Sequence, residues 1–197
     1  MKQVFLYLAV LFTTIAANAQ DLYKDSVDHF IADYVKNHQV VTGADKQYFR
    51  FFPVDERYRV TARFQKEARG DWFPVPTSSG KPKQYRVYGW LLFTLNGSPQ
   101  KLAVYQSQFL LQKEEYYDYL FLPFKDATNG KESYETGRYL DLKTTDIKND
   151  AIVLDFNKAY NPYCAYVSTG YSCPIPPREN HLKIAVNAGE KQFARAH

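Results

Sequence analysis

Seven polar residues in the second half of the chain have side chains suited to chemistry: Asp126, Arg138, Asp141, Asn157, Tyr160, Glu179 and Asn180. They fall at the ends of strand-like runs and in the loops between them, where binding and catalytic groups concentrate. Carboxylates beside an arginine and a tyrosine could support hydrolysis or isomerisation by acid–base steps, provided that at least two of Asp126, Asp141 and Glu179 converge within about 10 Å. Arg138 could fork onto a ligand carboxylate or phosphate. A structural reading stands beside each role. Asp126 can cap the turn running to Gly130, and Arg138 can pair with Asp141 or Glu132. Asn157, Asn161 and Asn180 can bond loop backbone that lacks ladder partners.

Other motifs are weaker. Thr77-Ser78-Ser79-Gly80 is rich in hydroxyls, but no G-x-S-x-G elbow accompanies it. Past residue 19 the histidines are His29, His38, His181 and His197, and none has a placement that suggests a Ser/His/Asp arrangement. No phosphate-cradling or dinucleotide fingerprint occurs, so no cofactor is expected. Trp72 and Trp90 could stack on a sugar, although Trp90 sits in the most apolar run and reads better as core.

The cysteines, Cys164 and Cys173, lie in one irregular, proline-rich stretch from Asn157 to Asn180. In an exported chain they most simply form a single disulfide, closing a short loop that contains Gly170 and adding about 2.7 kcal/mol of stability if unstrained. Reduced structural thiols are an alternative. A metal site recruiting His181 is another, but C-x8-C-x7-H matches no familiar zinc spacing, and no metal site is expected.

The elements that must position these residues follow from hydrophobic period. Asp21 to about Asn37 predicts a helix, with Leu22, Phe30, Ile31, Tyr34 and Val35 at helical spacing and Lys36 near the end. After Gly43 the period changes to two. Strands are expected over 48–52, 57–65, 84–95, 101–110, 119–124, 138–142, 151–156 and 182–186, with Asn96-Gly97 as a hairpin turn. Eight or more antiparallel strands and one helix predict a mainly β fold. The expected form is a β-sandwich or partly open barrel, with one N-terminal helix and a long irregular C-terminal loop.

Residues 1–19 read as a signal peptide: Lys2, an apolar run from Val4 to Ile15, and Ala17-Asn18-Ala19 as a cleavage site, with cleavage after Ala19. The run is short for a membrane span, which needs about 20 residues. The expectation is an exported protein, periplasmic or secreted, with no membrane span after cleavage. A helix over 20–44 would pack on a single β-rich domain over 45–197. The formal charge of +4 comes from acidic and basic residues interleaved along the chain, a mixed surface unlike a phosphate-binding stripe, so nucleic acid is not an expected partner. The 17 tyrosines fit both strands and recognition surfaces.

With these elements placed, a pattern emerges. It runs through Arg50–Pro53, Tyr58–Phe64, Pro76–Gly80, Tyr88-Gly89, Pro123–Tyr134, Gly137–Leu142, Asn157–Asn180 and Ala188–Lys191. Together these stretches resemble the bacterial family called domain of unknown function 1684, over roughly residues 45 to 191. His181 departs from the family pattern, which carries arginine there. The resemblance brings no reaction, substrate or cofactor.

The first functional expectation is a non-catalytic binding or accessory domain for a small polar or anionic ligand, a small molecule or glycan. Its pocket would lie between the sheet and the stapled C-terminal loop, lined by tyrosines, with Arg138 selecting an anion. A hydrolase or isomerase using the paired carboxylates is the alternative. A structural envelope component, which would show a large exposed apolar patch and no pocket, is the third.

Overall fold

The computed structural model describes residues 2–195, with side chains from Gln20 onward. The side chains of the expected leader, residues 1–19, lie outside the described residues, as does His197. Helix α1 spans Lys2–Asn37, ending where the sequence predicts but beginning well before Asp21. Among the described residues no helix is long and apolar enough to cross a membrane.

Seven strands follow: β1 (Arg59–Lys66), β2 (Phe73–Val75), β3 (Lys83–Leu95), β4 (Ser98–Ser107), β5 (Tyr119–Phe124), β6 (Arg138–Lys143) and β7 (Ala151–Asp155). They form one antiparallel sheet in the order β6-β5-β4-β3-β1-β7, with β2 paired to β3, and the sheet curls into a half-barrel. The fold is therefore mainly β, in the open-barrel form. β3 and β4 are joined by Asn96-Gly97, both at positive φ (50° and 75°), the primed turn that matches strand twist.

Two expected strands are absent. Residues 48–52 contain the end of a short 3-10 turn (Gly43–Tyr48) and one bridge, Phe51 to Glu190. Residues 182–186 are held by individual bonds: Leu182 N–H donates to Lys125 O, and Ala127 N–H donates to Ile184 O. The Val186 backbone binds the Asp126 and Arg138 side chains. Side chains replace the ladder there, and period-two composition cannot show that. β2 was not foreseen because it has only three residues and contains Pro74, which a sheet-edge position tolerates.

The two faces of the sheet differ. One carries the main apolar core, including Leu91, Leu102, Leu120, Leu122, Leu140 and Leu154. The other carries Tyr85, Ala103, Tyr105, Phe121 and Tyr139. Strand alternation assigns the side chains. In β3 a bulge between Val87 and Gly89 shifts the register, so Tyr85 and Val87 belong with the aromatic face whereas Leu91 and Phe93 belong with the core. Gly89 is required there: a Cβ would come within 2.3 Å of the Phe64 ring.

Candidate functional site

The aromatic face, the second half of α1 and the C-terminal loop enclose a cleft of about 830 Å³. Seven tyrosines line it: Tyr34 from α1, Tyr85 from β3, Tyr119 from β5, Tyr139 from β6, and Tyr160, Tyr163 and Tyr171 from the loop. Phe30 and Phe121 add apolar wall, and Lys83, Lys158, His38 and Asp141 are its ionisable members besides the phenols.

Cross-strand register explains how the floor is assembled. Phe121 faces Asp141 and Pro123 faces Tyr139 across β5 and β6, so Tyr119, Phe121, Tyr139 and Asp141 share one face. Tyr160 reaches the same floor because its backbone exchanges both hydrogen bonds with Tyr139, at 2.9 and 3.0 Å.

Asp141 is the polar centre. Its Oδ1 accepts from the Tyr119 hydroxyl at 2.7 Å and from the Tyr160 hydroxyl at 2.6 Å. The carboxylate is surrounded by protein yet open to water, the position of a group set in a concave wall. Loss of bulk water raises its pKa, and the two hydroxyls oppose that rise. The same enclosure pushes Tyr119, Tyr139 and Tyr160 well above the usual phenol value. Desolvation lowers the pKa of Lys83, whose ammonium donates to Ser172 O at 2.6 Å. His38 is held neutral, its pKa pulled down to about 4 first by burial and then by Lys46.

The C-terminal loop is fixed by a disulfide between Cys164 and Cys173. The hydroxyl-rich segment at 77–80 fastens it further. Ser78 N–H donates to Cys173 O at 2.9 Å, Cys173 N–H donates to the Ser78 hydroxyl at 3.0 Å, and Ser172 donates to the Thr77 hydroxyl at 2.8 Å.

Of the seven residues singled out from sequence, Asp141 and Tyr160 line the cleft and the other five do not. Arg138 lies three residues before Asp141 on the same strand, hence on the opposite face. It is fully buried, donating to Asp126 Oδ2 at 2.8 Å, Val186 O at 2.8 Å, Glu190 O at 3.2 Å and Ala188 O. Its Nε is buried without a partner among the described residues, and the guanidinium carbon lies 5.7 Å from the centre of the Phe52 ring and 5.4 Å from that of Phe124. Asp126 Oδ1 accepts from Thr128 N–H and hydroxyl and from Val186 N–H, so that carboxylate is saturated too.

Asn180 fills a split in the sheet where β4 and β5 pair only at Tyr105 and Phe121. It accepts from Ala103 N–H at 2.7 Å and donates to Ala103 O and Pro123 O at 2.8 and 2.6 Å. Asn157 binds the Asp55 backbone in both directions and donates to the Tyr23 hydroxyl, tying α1 to the sheet edge. Glu179 is exposed and accepts from Tyr105 at 2.8 Å. Among the described residues Asp126, Asp141 and Glu179 share no hydrogen-bond partner. Trp72 and Trp90 lie outside the cleft, each under a cation, Arg86 and Lys101 respectively.

The six other cleft tyrosines and Lys83 were not identified individually from sequence. Alternation within 119–124 and 138–142 carries the signal: it places Tyr119, Phe121, Tyr139 and Asp141 on one side and sends Arg138 to the other.

Among the described residues no cluster of three or more metal-ligating side chains occurs. A family model described as protein of unknown function (DUF1684) matches residues 47–191. The solution NMR structure of an uncharacterised protein from Haloarcula marismortui is similar, with a TM-score of 0.65 and 30% identity; the match covers 89% of this chain and 96% of that one. No curated protein matches.

Proposed function

The chain belongs to the DUF1684 family of proteins of unknown function, and from that premise we propose that it is an exported ligand-binding domain whose tyrosine-lined cleft holds a small polar molecule. One observation carries this reading: seven tyrosines from five separate parts of the chain converge on one cleft around a single accessible carboxylate. A mostly aromatic concavity with a few placed polar groups is the usual form of a small-molecule site. Export rests on the apolar leader read from the sequence and on the disulfide, a bond that persists in oxidising compartments. The binding reading is favoured over hydrolysis because the three carboxylates lie in separate hydrogen-bond environments, leaving Asp141 without a second acid–base group of its kind.

Isothermal titration against polar metabolites and glycans, with the wild-type protein and a Tyr163→Ala variant, tests the reading. Saturable binding that weakens in the variant is expected. Binding unaffected by both Tyr163→Ala and Tyr160→Phe would move the site elsewhere.

A further inference from the structure

The class of ligand can be read from where the hydrogens of the cleft floor are used, an inference that rests on the binding reading above. A phenol has one hydrogen to donate. Tyr119 and Tyr160 donate theirs to Asp141 Oδ1, and Tyr139 donates its own to Pro174 O at 2.5 Å. Asp141 Oδ2 has no hydrogen-bond partner among the described residues, and no cation pairs with this carboxylate. The lysines of the cleft wall are directed elsewhere: Lys83 gives one of its three N–H groups to Ser172 O, and Lys158 lies 5.3 Å from the centre of the Phe30 ring.

The floor therefore offers a free carboxylate oxygen and phenolic lone pairs, with each of these three phenolic hydrogens already committed. The raised phenol pKa values keep those hydrogens in place. Ring faces add a second attraction, because their negative quadrupole favours cations. An anion seated against Asp141, between the Tyr119 and Tyr160 hydroxyls, would meet lone pairs only. A group carrying several N–H donors and a positive charge matches both features.

We propose that the cleft takes a ligand bearing a protonated amine, seated against Asp141 between the Tyr119 and Tyr160 hydroxyls. Three probes of nearly equal shape test this: benzylamine, benzyl alcohol and benzoate, titrated by NMR at neutral pH. Benzylamine should bind saturably, benzyl alcohol at least about tenfold more weakly, and benzoate not at all, since a charge-assisted bond is lost or reversed along the series. Asp141→Asn should erase the preference for the amine.

The probe series needs only the unaltered protein, so it stands even if the variant misfolds. Equal binding of alcohol and amine, or binding of benzoate at least as tight as that of benzylamine, overturns the amine assignment while leaving the cleft as a binding site. A folded Asp141→Asn protein that keeps the preference overturns it as well. Failure of all three probes counts against the amine assignment, and if the metabolite and glycan titrations also show nothing, the binding reading falls with it.

Discussion

Strand β6 separates two polar regions built from residues only three apart, and they have opposite characters. On one face, Arg138 and Asp126 form a closed network: fully buried, saturated at almost every donor and acceptor, and wrapped by backbone carbonyls of the C-terminal segment. On the other face, Asp141 sits in an open cleft with one oxygen committed and one free. Both are charged residues in a short motif-rich stretch, and residue type alone gives them equal claim to function. Unused hydrogen-bonding capacity separates them. A saturated buried pair organises the chain, whereas an accessible group with spare acceptors can act on something else.

The largest expected effect lies on the closed side. Arg138→Met would leave Asp126 buried and unpaired and release the carbonyls of Val186, Ala188 and Glu190. Breaking a buried pair in this way costs about 3–5 kcal/mol, so the melting temperature should fall by about 10 °C or more. A drop of only a degree or two in a thermal melt would show the network to be dispensable and blur the contrast.

Replacing both Cys164 and Cys173 by serine comes next. The loop-entropy cost is about 2–3 kcal/mol, and because Gly170–Pro174 form one wall of the cleft, ligand affinity should fall along with stability. Calorimetry and titration on the same preparation check the two effects together. Stability lost without loss of affinity would detach the staple from the site.

A third prediction uses Glu190, a fully buried carboxylate that accepts from the Tyr166, Tyr34 and Asn161 groups and lies near Arg138. Burial raises its pKa from 4.5 to about 7. The folded protein then binds an extra proton between those values, so stability should decline as pH rises through that window. Glu190→Gln should flatten that decline in denaturant melts at several pH values; an unchanged slope would assign it to other groups.

The smallest effect on stability is expected at the open site. Asp141→Asn keeps an acceptor for both tyrosines and should change stability by less than about 1 kcal/mol, as accessible polar substitutions usually do. A large loss would mean that Asp141 belongs with the structural residues after all.

Much of the architecture was legible from the chain. The turn at Asn96-Gly97, every strand from 59 to 155 except β2, and the end of the helix at Asn37 follow from local period and turn chemistry. Residues 182–186 were misread because Asp126 and Arg138 side chains supply bonds that a ladder would otherwise make. The site was legible in part. Tyr160 and Asp141 were singled out, but Arg138 was grouped with Asp141 although an odd spacing on a strand puts two residues on opposite faces. Asn180 was recognisable as a backbone partner, whereas the gap it fills between β4 and β5 exists only in three dimensions. The bulge at Val87–Gly89 likewise decides which face Tyr85 joins, and the sequence marks it only by a glycine.

The most direct test of the contrast across β6 is a chemical-shift map recorded as benzylamine is added. Perturbations concentrated on Tyr119, Tyr139, Asp141 and Tyr160, with the Arg138 Nε–H signal unmoved, are the predicted result. Leading shifts at Arg138, Asp126 or Val186 would contradict the account, because they would place the responsive chemistry on the closed face.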